Sequence, residues 1–115
     1  MNIEELRNYC ITKVGVSESF PFDETTLVFK VGNKMFALVG LDSDPLTISL
    51  KCDPEKAIIL REEYEAVKPG YHANKRHWNT VAVGHVKKTL LQEWIDDSYN
   101  LVLAALPNKI RSELL

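Results

Sequence analysis

Apolar positions recur along this chain with two different periods, and the switches between them divide it into elements. Ile3, Leu6, Cys10 and Ile11 fall at helical spacing behind Asn2, with Glu4 and Glu5 favouring a helix start, so a short helix is expected from about Ile3 to Lys13, ended by Gly15. Ser19-Phe20-Pro21-Phe22 reads as an extended connection, because Pro21 disfavours helix at the residue before it. Thr26 to Val31 and Lys34 to Val39 are β-rich runs separated only by Gly32-Asn33, which predicts a tight hairpin. Leu46 to Lys51 alternates apolar and polar residues and predicts a third antiparallel strand with one buried face.

Asp53 then supplies a helix N-cap, Pro54 a first helical position and Glu55 an acid for the positive end of the dipole. That helix carries Ala57, Ile58, Leu60, Arg61 and Tyr64, and Pro69-Gly70 lies beyond its end. Trp78 to Val83 reads as another strand, closed by Gly84. The last long element, from about Val86 to Leu106, aligns Leu91, Trp94, Ile95, Tyr99, Val102 and Leu106 on one stripe, as a helix lying on a sheet requires. Pro107 interrupts it, and Asn108 to Leu115 can form a final short helix. With no repeat or linker, the pattern predicts a single α+β domain over residues 1–115, its antiparallel β-sheet covered by helices.

Composition narrows the setting. No apolar run approaches a membrane span, and Glu4 and Glu5 occupy the place where a signal peptide would need basic residues, so a cytoplasmic location is expected. Cys10 and Cys52 stand far apart with no C-x-x-C pair, and read as buried thiols in a reducing compartment. A net charge of −2 argues against a strong, sequence-independent coat on DNA.

Charge is nevertheless uneven. No Asp or Glu falls between Ala66 and Gln92, a span holding Lys68, Lys75, Arg76, Lys87, Lys88 and the histidines His72, His77 and His85. Such a stretch is a local positive field that attracts an anion. Within it, Tyr71, His72, Asn74, Lys75, Arg76, His77, Trp78 and Asn79 combine cations, aromatic rings and amides, the side chains that meet phosphates, sugars and bases. The plain alternative is a solvated loop whose countercharges come from elsewhere. On a strand, Arg76, Trp78 and Thr80 would share one face and His77, Asn79, Val81 and Val83 the other, with Trp78 fitting either core or contact surface. Lys87 and Lys88 open the long helix, where cations oppose the dipole unless a phosphate binds. The histidine spacing matches no structural zinc pattern, no nucleophile elbow or Gly-rich phosphate loop occurs, and no metal, cofactor or catalytic group is expected.

Three segments in order, Ile48-Ser49-Leu50-Lys51-Cys52-Asp53-Pro54-Glu55, Pro69-Gly70-Tyr71-His72-x-Asn74-Lys75-x-His77-Trp78-Asn79-Thr80 and Ile95-x-x-Ser98-Tyr99-x-Leu101-Val102, resemble the MmcQ/YjbR family of small bacterial proteins. The resemblance implies a CyaY-like α+β fold, a double-winged module with a DNA-binding role, and signature positions at Lys51, Tyr71, His72, Asn74, Lys75, His77, Trp78 and Asn79. Where relatives tend to begin the long helix with proline and acids, this chain has His85-Val86-Lys87-Lys88-Thr89.

The expectation is therefore a monomeric, non-enzymatic protein that contacts DNA phosphates through the Tyr71–Asn79 ribbon, with Lys51, Lys87 and Lys88 assisting. The alternative uses the same residues to hold a small anion, such as a phosphorylated metabolite, or an acidic protein surface.

Overall fold

The computed structural model describes residues 1–70 and 74–115. Helix α1 (Ile3–Ile11) starts in a reciprocal cap, in which the Asn2 carboxamide oxygen accepts the Glu5 N–H at 2.8 Å and the Glu5 carboxylate accepts the Asn2 N–H at 3.3 Å. Strands β1 (Val16–Ser19), β2 (Thr26–Val31), β3 (Lys34–Gly40) and β4 (Thr47–Lys51) follow. Then come α2 (Pro54–Glu63), β5 (Val67–Pro69), β6 (Trp78–Ala82), α3 (Lys88–Ala105) and α4 (Asn108–Leu114). The Asp53 carboxylate caps α2 by accepting the Glu55 and Lys56 N–H groups.

All neighbouring strands are antiparallel, in the order β1-β2-β3-β4-β6-β5. The expected three-strand meander is thus the centre of a six-stranded sheet. Two edge strands escaped the sequence reading for the same reason. β1 has four residues and β5 three, too few to show a period, and each exists only because a longer strand offers it a ladder. At the Gly32-Asn33 turn, φ is +56° and +66°, as a two-residue hairpin of this hand requires. A side chain at Gly32 would also strike Leu106 at 2.6 Å.

The helices pack on one face of the sheet. Leu6, Phe29, Phe36, Ile48, Leu91 and Ile95 form the centre of that core. Between β2 and β3 the register shifts, so that Phe29 faces Ala37 while Lys30 faces Met35, and Phe36 is the extra residue of a bulge. The bulge frees the Phe36 carbonyl from the ladder. Ser98 on α3, fully buried, donates to it at 2.6 Å and accepts the Lys51 N–H at 2.9 Å, so one hydroxyl satisfies the bulge carbonyl of β3 and the end of β4. At the other side of α3, Asp96 accepts from Tyr9 at 2.8 Å and pairs with Lys13 at 2.5 Å, tying α1 to the long helix.

Candidate nucleic-acid interface

The face of the sheet opposite the helices is open. Strand alternation and pairing place Thr26, Val28 and Lys30 of β2 on it, with Met35 and Leu38 of β3 and Thr47, Ser49 and Lys51 of β4 beside them. Trp78 and Thr80 of β6 and Lys68 of β5 complete the far side. A Ser49–Thr80 hydroxyl contact of 2.8 Å and a separate apolar cluster of Val28, Leu38, Trp78 and Met35 confirm the shared face. Among the described residues no Asp or Glu occupies a strand position on this face, whereas Lys30, Lys51 and Lys68 do.

The face is polarised along its strands. At one end lie Lys30, Lys51 and the turn that leads into β6, with Lys75 and Arg76 exposed. At the other end the β1–β2 loop carries Asp23 and Glu24, and the β3–β4 loop carries Asp42 and Asp44. The two hydroxyl-bearing and acid-rimmed grooves near that second end measure about 400 and 730 Å³.

The basic turn is built by residues that the sequence presents as ordinary. Asn74 accepts the Arg76 N–H through its carboxamide oxygen at 2.9 Å, and the His77 N–H donates to the Asn74 carbonyl at 3.0 Å. Gly70 donates to the Trp78 carbonyl at 2.9 Å, and a Cβ on Gly70 would stand 2.9 Å from that of Trp78, so glycine permits this close crossing. Arg61, in the last turn of α2, donates to the Asn79 carboxamide oxygen at 2.6 Å and to the Trp78 carbonyl at 3.2 Å, and also reaches the Lys75 carbonyl. A half-buried guanidinium therefore anchors the start of β6 and the turn before it.

Several expected contact residues lie elsewhere. Trp78 is only 8% exposed, and its ring must lie across β4 to reach Leu38 and Val28, a passage that the small side chain of Ser49 allows. It belongs to the apolar cluster of the open face, and little of its ring is left for contact. Asn79 points to the helix side, is 2% exposed, and uses its oxygen on Arg61 and its nitrogen on the Ala57 carbonyl at 3.2 Å. It has no access to a base edge. Lys88 pairs with Glu5 at 2.8 Å, because α1 brings its first-turn acids to the start of α3. Lys87, the residue before that helix, follows the opposite end of β6 from Arg76, about 13 Å away along the strand alone at roughly 3.3 Å per residue. Neither lysine joins the basic turn. Tyr71 and His72 lie outside the described residues.

What remains is Lys51, Asn74, Lys75, Arg76 and the half-buried His77, to which the structure adds Lys30 and Lys68. Among the described residues, Lys30, Lys51, Lys68, Lys75 and Arg76 form no ion pair. Lys30 could have been found from the hairpin alternation. Arg61 could not, since a solvated helix arginine carries the same local signature.

The cleft on the helix side, lined by Cys52, Asn79, Trp94 and the Lys56–Asp97 pair (2.7 Å), holds about 20 Å³, room for about one water. Burial pushes the Cys52 thiol above its ordinary value, which lowers its thiolate fraction and its nucleophilicity. Among the described residues no three of His, Cys, Asp or Glu gather as metal ligands.

Comparison with known proteins gives a consistent result. A family model described as YjbR matches residues 11–101. The chain is 34% identical to the uncharacterized protein YjbR of Escherichia coli K12, over all of this chain and 98% of that one. It is 40% identical to the uncharacterized protein YbdF of Escherichia coli O157:H7, covering 78% of this chain and 75% of that protein. Among solved structures, a Deinococcus radiodurans protein with the DUF419 domain superposes with a TM-score of 0.92 at 42% identity, covering 98% of this chain and 87% of that one. A Pseudomonas syringae protein superposes with a TM-score of 0.76 at 27% identity, covering 89% and 99%.

Proposed function

The chain belongs to the YjbR family, and from that premise we propose that it binds nucleic acid by the phosphate backbone, laid along the basic end of the open sheet face. Lys51, Lys75 and Arg76 hold phosphates, with Lys30 flanking them and Lys68, opposite Thr80, farther along the face. One observation carries this reading: Lys30, Lys51 and Lys68, free of ion pairs among the described residues, share a face whose strands present no carboxylate, and the equally unpaired Lys75 and Arg76 stand exposed in the turn at its end. The Asn74 turn and Arg61 hold Lys75 and Arg76 out from the sheet. DNA is the first probe, since phosphate contacts do not read the sugar.

Two features set the strength. The net charge of −2 opposes long-range attraction, and with Trp78 and Asn79 buried the described residues leave little to read base edges. Affinity is therefore expected in the non-specific range, with a dissociation constant of about 10⁻⁴ to 10⁻⁶ M at physiological salt. The grooves of 400 and 730 Å³ on this face lie towards its acidic end, so an extended polyanion fits the basic end better than a small enclosed anion does.

The test is fluorescence anisotropy with labelled duplex and single-stranded DNA over a series of salt concentrations. Binding should fall steeply with salt, and Lys75→Ala with Arg76→Ala should lower the magnitude of the log–log slope by about 2, one for each phosphate contact removed. Both side chains are exposed, so the folded state should survive the change. Absence of binding at low salt, or a slope unchanged by the double substitution, would refute the reading.

A further inference from the structure

The acidic end of the open face contains a groove of about 400 Å³ whose chemistry differs from that of the basic end. Ser43, Thr47, Ser49 and Thr80 line it with hydroxyls, and Asp42 and Asp44 rim it with carboxylates. The hydroxyls stand in two pairs, Ser49 with Thr80 at 2.8 Å and Thr47 with Ser43 at 3.5 Å. Two hydroxyls own two protons and a mutual contact uses at most one, so each pair keeps at least one proton not spent between its members. Thr80 is 4% exposed and Ser49 half-buried, so this pair forms part of the groove wall. Thr26, also on the wall, is engaged by Asp23 at 3.2 Å.

Gly40 forms part of the lining, and its missing side chain is what lets the Ser43 and Thr47 hydroxyls come close over it. A Cβ at that position would stand 2.7 Å from the Ser43 hydroxyl oxygen and 2.9 Å from that of Thr47. Among the described residues Asp42 and Asp44 form no ion pair, so both carboxylates remain acceptors. Two spare O–H donors beside two free carboxylates complement a ligand with two adjacent hydroxyls, each of which can donate to a carboxylate and accept from a protein hydroxyl.

We propose that this groove binds the vicinal diol of a terminal ribose, which makes the preferred ligand of the face the 3′ end of an RNA strand. This rests on the phosphate-binding reading above for the strand, but not for the diol itself. Charge dictates the polarity. Asp42 and Asp44 repel a phosphodiester chain that continues past them, whereas a 3′ terminus carries no phosphate beyond its diol. Ser49 and Lys51 alternate on β4, roughly 7 Å apart at about 3.4 Å per residue, so the terminal sugar and the phosphate before it can be held by the same strand. A free sugar or nucleoside offers the same diol without the phosphates.

The experiment compares a 5′-fluorescein RNA hexamer with the same hexamer ended by a 2′,3′-dideoxynucleotide, and adenosine with 2′-deoxyadenosine, for the wild type and for Asp42→Asn with Asp44→Asn. Loss of the diol should weaken wild-type hexamer binding at least tenfold. The double substitution should erase that difference, while Lys75→Ala with Arg76→Ala should weaken both hexamers alike. Equal affinity for the two hexamers overturns the diol site and leaves phosphate binding standing. Stabilisation by adenosine but not 2′-deoxyadenosine, with no hexamer bound, supports the diol site and removes the strand. No response to any ligand overturns both. Gly40→Ala, which crowds Ser43 and Thr47, should mimic the aspartate substitutions; wild-type discrimination in that variant would also count against the site.

Discussion

Replacing Arg61 with methionine keeps an unbranched stem and removes the guanidinium that holds the start of β6. Its consequences differ at the three acceptors. The Lys75 carbonyl lies in an exposed turn, where water can replace the lost donor. The Trp78 carbonyl keeps the Gly70 N–H at 2.9 Å, so it is not orphaned. The Asn79 oxygen is different: with its residue 2% exposed and its nitrogen committed to Ala57, it loses its one partner in a place water does not readily reach. A stranded buried acceptor costs about 1–3 kcal/mol, and the two weaker losses bring the expectation for Arg61→Met to about 2–3 kcal/mol. Urea unfolding should show a midpoint lowered by about 0.7–3 M with an unchanged slope, for a slope of about 1–3 kcal/mol/M. A double-mutant cycle with Asn79→Ala isolates the pair. In the Arg61→Met background, Asn79→Ala should cost at least about 1 kcal/mol less than in the wild type, because the acceptor is already unpaired. A single-mutant loss below about 0.5 kcal/mol, or strict additivity, would refute the assignment of Arg61 as the residue that positions the basic turn.

Other expectations follow from the same contacts. Ser98→Ala strands the Phe36 carbonyl and the Lys51 N–H in a fully buried place, so a loss of about 2–4 kcal/mol is expected in the same urea assay; a neutral result would mean that the bulge finds another donor. Burial pushes the Cys10 thiol from an ordinary 9.0 up to about 12. The folded state then holds that proton more tightly than the unfolded state, so the contribution is full below pH 9 and is lost as pH rises towards 12. Cys10→Ala should flatten this alkaline decline in thermal unfolding, and an identical pH profile would disprove the linkage. Tyr9, raised to about 12 by burial and by the Asp96 carboxylate, adds a decline of the same sign that the variant retains.

The candidate face was half legible beforehand. Lys51 stands where strand alternation puts it and Trp78 and Thr80 share a face as alternation requires, whereas Lys75 and Arg76, from the acid-free window, lie in a turn before β6 and not on the strand. The same window misled at Lys87 and Lys88. Sequence proximity measures distance along the chain, but β6 runs the length of the sheet between Arg76 and Lys87, and Glu5 reaches Lys88 from 83 residues away. Asn79 looked like a base reader because an amide beside cations has the same local signature whether it is solvated or buried.

By itself the sequence determined what local physics controls. The capped helices, the Gly32-Asn33 hairpin and the amphipathic stripe of α3 each follow from backbone preference and apolar period within a few residues. Tertiary structure decided which charges meet. The edge strands β1 and β5, the Arg61–Asn79 anchor, the Ser98 bridge and the split of the open face into a basic and an acidic end all arise from groups distant in sequence. Electrostatic neighbours and buried hydrogen bonds are set by distance through space, and only the packing of helices against the sheet fixes that distance.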